Sequence, residues 1–141
     1  MAVRIGYRQP QAGSQGFART KKVYGGPAVT LVAADVVLNA QVAIARVPKG
    51  FVLQSYSLVI GDADTGATLM IQLGDAGDFD RIAVAVNTGQ AGGTLTTLAA
   101  TGLLYQYTED TDILMTASTA AVGLPTTAPT ALITMEGYIN G

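Results

Sequence analysis

The sequence predicts an all-β protein: an antiparallel β-sandwich or jelly roll that follows an extended N-terminal arm. Short runs of β-branched and other apolar residues alternate with turns of Gly, Pro and Asp, at the spacing of about 8–12 residues typical of such folds. No stretch shows the apolar period of about 3.6 residues that marks an amphipathic helix. The chain has 141 residues, which is the size of one domain.

The first 27 residues predict the arm. The segment from Arg8 to Gly16 is rich in Gly, Gln and Pro and has no periodicity, and Gly25-Gly26-Pro27 is a strong break. We therefore divide the chain into an arm at 1–27 and a β-sandwich body at 28–141. Because the arm cannot form a core alone, we expect its basic and isolated apolar residues to bind a partner: Arg4, Arg8, Phe17, Arg19, Lys21, Lys22, Val23 and Tyr24. A frayed terminus is the alternative.

Strands follow from Pro27 onward. Val29–Val32 and the alternating Val42–Val47 read as strands, and Pro48-Lys49-Gly50 predicts a chain reversal, since Pro presets one backbone angle and Gly accepts a positive φ. Phe51–Ile60 has high β propensity and apolar residues on both faces. That pattern predicts a central strand.

The middle of the chain contains two loops rich in Gly and Asp. The loop 61–66 is expected to join Phe51–Ile60 to a strand at 67–73 as an antiparallel hairpin, and 74–80 forms a second loop. Residues 82–86 are short and apolar and fit either a strand or a turn of helix. Residues 87–100 contain three glycines and predict a loop that crosses between sheets.

The last third repeats the pattern of strand and turn. Strands are expected at 103–107, 112–118 and 130–139, which brings the total to seven or eight. Strands at this spacing favour a sandwich or jelly roll over alternating β and α units.

The composition argues against an enzyme. The chain has no histidine, cysteine or tryptophan, which excludes Ser-His-Asp and Cys-His nucleophiles, thiolate or imidazole metal sites and disulfides. Carboxylates are the remaining candidates for chemistry, namely Asp62, Asp64, Asp75, Asp78 and Asp80. Calcium binding and a glycosidase pair were both considered, but we interpret these residues as turn formers and expect no metal site, cofactor or catalytic residue.

The charges are divided unevenly along the chain. Residues 1–50 contain seven basic residues and one acidic residue, whereas residues 51–141 contain one basic residue and nine acidic ones. Copies could therefore associate head to body, or the basic head could bind another acidic surface. An acidic body would repel a DNA duplex, so we expect no nucleic-acid partner. No apolar run reaches the roughly 18–20 residues of a membrane helix, and no membrane association is expected.

The region from about residue 36 to 139 resembles small virion proteins of tailed phages encoded among the head genes. Its order of elements carries the resemblance: Val42-Ala-Ile-Ala-Arg-Val-Pro-Lys-Gly50, Leu69-Met-Ile-Gln-Leu-Gly-Asp75 with Asp78-Phe-Asp-Arg81, and Thr111-Asp-Ile-Leu-Met115. Similar sequences look like head decoration, or cement, proteins with a β-sandwich or jelly-roll body. The resemblance implies no catalytic residues.

The resemblance implies a structural protein on the exterior of the virion that stabilises the capsid by binding the major capsid protein. The low charge and the apolar strand faces favour self-association, and we expect a homo-oligomer with a trimer favoured. A tail or fibre module that recognises a host-surface carbohydrate is the alternative.

Overall fold

The computed structural model describes residues 21–140 of the chain. These residues contain nine β-strands, two single turns of 3-10 helix at Ala33–Asp35 and Thr88–Gln90, and no α-helix. The strands are β1 Lys22–Gly25, β2 Val29–Thr30, β3 Gln41–Val47, β4 Phe51–Ile60, β5 Met70–Asp75, β6 Asp78–Val86, β7 Gly93–Leu95, β8 Thr111–Thr119 and β9 Thr130–Ile139. The predicted all-β class is confirmed.

The strands form two antiparallel sheets. The first sheet has the order β1, β9, β4, β7, and the second has the order β3, β8, β5, β6. The short β2 pairs with β9 on the same side as β1, so β1 and β2 act as one interrupted edge strand. Each sheet then has four strands. Strands that follow one another in the chain lie in different sheets, except β5 and β6, which form a hairpin. This is the connectivity of a jelly roll, one of the two folds that the sequence predicted.

The core lies between the two sheets. The inner faces of both sheets contribute fully buried side chains, including Phe51, Leu58, Ile71, Leu73, Ile113, Met115, Ile133 and Met135. Each such side chain stabilises the fold by about 1.5–3 kcal/mol relative to exposure. The sandwich is therefore held together by apolar contact between sheets as well as by the strand ladders.

β4 is an interior strand, as predicted, and a β-bulge divides it. Leu53 pairs with Gly137 and Ser55 pairs with Glu136, so Gln54 is an extra residue without its own partner. Because side chains alternate along a strand, the extra residue reverses which positions face the core. Phe51 and Leu53 are buried before the bulge, and every second residue from Tyr56 is buried after it. This reversal explains why neither predicted face is cleanly polar.

The predicted hairpin between β4 and the next strand is wrong. β4 belongs to the first sheet and β5 to the second, so the nine residues 61–69 cross the sandwich. Such a connection is longer than the two-residue loops commonest in hairpins. β5 instead forms its hairpin with β6 across the short turn from Asp75 to Asp78. The predicted crossing in residues 87–100 is confirmed, because the chain passes there from β6 in the second sheet to β7 in the first. The segment is not a loop throughout, since it contains β7 itself, at Gly93–Leu95.

The predicted strand at 103–107 is also wrong. The turn formed by residues 100–104 includes the first two of these residues, and among the rest only Gln106 makes an isolated bridge, with Val52. Leu104 has a positive φ of 59°, which interrupts any extended strand. The segment nevertheless bonds to the start of β4, since the Tyr107 N–H donates to the Phe51 carbonyl at 2.9 Å and the Leu53 N–H donates to the Tyr105 carbonyl at 3.1 Å.

The first sheet begins inside the segment predicted to be the arm. Lys22–Gly25 forms β1 and pairs with residues 134–137 of β9. Of the eight predicted partner-binding residues, Arg4, Arg8, Phe17 and Arg19 lie outside the described residues.

Candidate functional site

The two ends of the sandwich differ in charge. One end is formed by the 48–50 turn, the β5–β6 turn, residues 105–111 and the ends of the strands beside them; we call it the charged end. All five basic residues between 21 and 140 lie at or beside it: Lys21, Lys22, Arg46, Lys49 and Arg81. The opposite end, formed by loops 31–40, 61–69 and 120–129, contains three aspartates and no basic residue.

The Asp75–Arg81 ion pair organises the charged end. The Arg81 Nε donates to the Asp75 Oδ2 at 2.6 Å, and both side chains are largely buried. The Asp75 Oδ1 also accepts the backbone N–H groups of Gly77 and Asp78, at 2.9 and 3.0 Å, which closes the β5–β6 turn. The Asp75 carboxylate raises the pKa of Arg81 above its usual value. This pair therefore ties the turn to β6.

A row of aromatic rings connects β1 to Arg81. Tyr24 meets Phe51 edge to face at 5.1 Å between ring centroids, and Phe51 stacks on Tyr107 at 6.5 Å. Tyr107 meets Tyr105 edge to face at 4.9 Å, and the Arg81 guanidinium carbon lies 3.8 Å from the Tyr105 ring centroid. These geometries are the favourable arrangements for ring pairs and for a cation over a ring.

Tyr107 has a buried hydroxyl without a hydrogen-bond partner. The residue is only 2% exposed, and within residues 21–140 its hydroxyl has no hydrogen-bond partner. Burial raises the pKa of Tyr107 far above its ordinary value, with a smaller contribution from the Asp75 carboxylate. The hydroxyl is therefore neutral at physiological pH.

Tyr107 lines a groove of about 450 Å³ at the charged end. The groove lies between the β5–β6 turn and the segment that enters β8. Its polar lining consists of Arg46, Asp75, Arg81, Tyr105, Tyr107, Thr108, Glu109, Asp110, Thr111 and Asp112. Four of these residues are acidic and two are basic, so the groove favours a cationic occupant.

The described part of the predicted arm is tied to the body. Lys21 forms an exposed ion pair with Glu136 at 2.7 Å, and this contact lowers the pKa of Glu136. Tyr24 packs on Phe51 and is partly buried, so its ring contacts this chain's own core. Lys22 and Val23 remain exposed on the edge strand.

Asp64 fastens two loops at the opposite end. It is 2% exposed and accepts four backbone N–H groups at 2.8–2.9 Å, from Gly66, Thr68, Leu69 and Val122. Burial favours a raised pKa, but the four N–H donors outweigh it and hold the pKa of Asp64 well below its usual range. Asp64 therefore has the turn role that the sequence predicted.

The other aspartates of the loops also bond within their turns. Asp62 accepts the N–H of Asp64 at 3.1 Å, and Asp78 accepts that of Asp80 at 3.4 Å. Between residues 21 and 140, no three acidic side chains come close enough to hold a metal ion together. The same part of the chain has no helix of the length and apolarity that a membrane crossing requires.

The opposite end also exposes aliphatic side chains. Asn39 donates to the Ala117 carbonyl at 2.7 Å and Ala121 donates to the Val36 carbonyl at 2.9 Å, so residues 36–40 run beside 117–121. The exposed aliphatic residues of these loops are Val32, Val37, Leu38 and Val122, of which Val122 is 68% exposed. This end therefore exposes four aliphatic side chains beside the aspartates Asp35 and Asp62 and, within the described loops, no basic residue.

The strand order and the two unlike ends define a jelly-roll protein. Chains from two phage capsids have this fold. A chain described as the cyanophage Pam1 capsid asymmetric unit superposes with a TM-score of 0.72 and 21% identity, with 98% of each chain covered. A chain from the capsid of Ralstonia phage GP4 superposes with a TM-score of 0.66 and 16% identity, covering 96% of this chain and 94% of that one.

At these identities the likeness establishes a shared fold over nearly the whole chain. No family model and no curated protein matched the sequence. The groove was not predicted, because 103–107 was assigned to a strand. The pair of Asp75 and Arg81, six residues apart on either side of the β5–β6 turn, is the signal that could have located it.

Proposed function

We propose that this protein is a structural component of a phage virion that decorates the exterior of the capsid and stabilises it by binding the major capsid protein. The observation that carries the proposal is the match of the whole fold to chains from two phage capsids. The match extends over both ends of the sandwich, so the capsid chains share the complete architecture and not a common sheet alone.

The surface of the sandwich supports this role. Aliphatic side chains at the opposite end would lose contact with water if that end lay against another protein. Burying a Val or Leu side chain gives about 1.5–3 kcal/mol. Four such residues at one end therefore provide a contact that stabilises an assembly without chemistry.

Self-association is part of the proposal, with a homotrimer favoured. Val59 of β4 and Leu132 of β9 are paired on the outer face of the first sheet, and both are exposed. A cyclic oligomer would place such residues in contact with another copy.

We further propose that the N-terminal residues fasten each copy to the surrounding shell. Residues 1–20 contain Arg4, Arg8 and Arg19 and no acidic residue. Such a segment loses conformational entropy when it binds and gains charge contacts in return.

Copy number in purified particles tests the decoration role. Gel densitometry against the major capsid protein should give many copies of this protein in each particle. Few copies, as expected for a tail or fibre tip, would contradict decoration. Release of the protein should also lower the temperature at which the capsid opens.

Deletion of residues 1–20 tests the fastening role. The deletion keeps β1, whose ladder with β9 would be lost if residues 1–27 were removed. We expect the melting temperature of the isolated protein to change little and the occupancy on particles to fall sharply. Full occupancy of the shortened protein at both low and high salt would refute the role of this segment.

A further inference from the structure

The groove at the charged end has unused capacity to bind a cation. Asp75 pairs with Arg81 and Asp112 pairs with Arg46, so the two basic residues of the groove are already engaged. Within residues 21–140, Glu109 and Asp110 form no ion pair, although the Asp110 carboxylate accepts the Lys49 N–H at 2.9 Å. Two carboxylate charges therefore remain at the wall of the groove.

The Tyr107 hydroxyl independently indicates a missing partner. A buried hydroxyl without a hydrogen bond is unfavourable, and buried polar groups are nearly always paired in folded proteins. Tyr107 itself lines the groove, together with Asp75, Arg81 and Tyr105. A segment that brings backbone carbonyls along with its basic side chains would give the hydroxyl an acceptor.

One segment of this chain has the complementary chemistry. Residues 1–20 contain three arginines and no acidic residue. They join the body at Lys21, whose ion pair with Glu136 lies near the end of β9, beside the charged end. Twenty residues span at most about 70 Å when extended, which is enough to reach an adjacent molecule.

We propose that the groove lined by Tyr107, Glu109 and Asp110 binds the basic N-terminal residues 1–20 of a second copy of this chain. The arginines contact the unpaired carboxylates, and a backbone carbonyl of the segment accepts the Tyr107 hydroxyl. This inference rests on the self-association included in the proposed function, and it requires neither a capsid nor a particular number of copies. The segment thereby joins neighbouring copies on the shell.

Sedimentation velocity of the full-length protein tests the inference without capsids. Glu109→Lys should weaken self-association roughly 5- to 30-fold, the factor that corresponds to about 1–2 kcal/mol. Asp80→Lys is the matched control, because it makes the same change of charge on an exposed residue outside the groove. Equal weakening by the two variants would overturn the proposal.

A reversal of both partners makes the test specific. Changing Arg4, Arg8 and Arg19 together to Glu should weaken self-association as Glu109→Lys does. A mixture of the two variants should associate more strongly than either alone, because each supplies the charge that the other has lost. No recovery in the mixture would overturn the proposal.

Tyr107→Phe separates binding from folding. Removal of an unpaired hydroxyl should leave the melting temperature of the dilute, dissociated protein unchanged or higher. The same change should weaken self-association severalfold. Unchanged self-association would refute contact between the segment and the hydroxyl.

A wild-type protein that remains a monomer would also overturn the inference. If the variants changed the sedimentation of the monomer and left self-association unchanged, the segment would bind the groove of its own chain, which would overturn the inference as well. Either result would leave binding to the major capsid protein intact. The copy number in particles therefore tests the proposed function separately.

Discussion

Replacement of Asp64 should cost this small domain a large part of its stability. The Asp64 Oδ1 accepts the N–H groups of Gly66 and Val122, and the Oδ2 accepts those of Thr68 and Leu69. Asp64→Asn retains one oxygen and turns an amide NH₂ group towards the other pair of donors. The amide oxygen should stay with Thr68 and Leu69, because Leu69 is fully buried, so the N–H groups of Gly66 and Val122 lose their acceptor.

The expected loss is about 2–4 kcal/mol, because a buried donor without an acceptor costs about 1–3 kcal/mol and two partly buried donors then face the NH₂ group. This loss is a large part of a typical total stability of about 5–15 kcal/mol, and in a domain of this size it should lower the melting temperature by roughly 10 °C. Urea denaturation monitored by circular dichroism measures the free energy of unfolding directly. Asp62→Asn is the matched control, since Asp62 is exposed, accepts one N–H and would keep an oxygen to do so.

The loss should also depend on pH. The folded pKa of Asp64 lies below the unfolded value of about 3.9, so its contribution is present above that value and disappears as the pH falls through the folded pKa. Wild type should therefore lose stability in acid more steeply than Asp64→Asn. A variant within about 0.5 kcal/mol of wild type at neutral pH would refute the role assigned to these hydrogen bonds.

Three further predictions follow from the same contacts. Gly137→Ala should cost about 1–3 kcal/mol in urea denaturation, because a Cβ there would overlap the Val52 carbonyl; Gly123→Ala, whose Cβ has 3.4 Å to the nearest atom, should be nearly neutral. A chelator should leave the melting temperature unchanged, since backbone N–H groups occupy oxygens of Asp62 and Asp64, and a large fall would reveal a bound cation. Glu136→Gln should remove the small stabilising contribution of the ion pair with Lys21. Because Lys21 lowers the folded pKa of Glu136, this contribution is present above the usual Glu pKa of about 4.3 and is lost in acid. The difference in melting temperature from wild type should therefore vanish in acid, and a constant difference would contradict the ion pair.

Local sequence was sufficient for the strands whose ends are set by turn chemistry. Phe51–Ile60 and Thr130–Ile139 have the bounds that were predicted, because Gly50 and Gly61 flank the first and Pro129 precedes the second. Gly50 has a φ of +89°, a value that glycine adopts without strain. The all-β class follows from such runs, since each strand needs only its own residues to show it.

Pairing between strands could not be read in the same way. β4 and β5 both have an apolar side. That side can face the core whether the two strands lie in one sheet or in opposite sheets, so the apolar pattern does not decide which strands pair. The Gln54 bulge also reversed the alternation within β4, so the pattern along the strand gave no clean inner face. Both outcomes depend on partners that are distant in the chain.

The sequence by itself determined an all-β chain with aspartate turns, a basic N-terminal segment and no residue suited to thiol or imidazole chemistry. Only the tertiary structure decided the jelly-roll connectivity, the attachment of β1 to β9 and the groove that unites Arg46, Arg81, Tyr107 and Asp110. The physical reason is the separation along the chain of the residues that interact. Turn chemistry and strand propensity act between neighbours in the chain, whereas a groove exists only when segments tens of residues apart pack against one core.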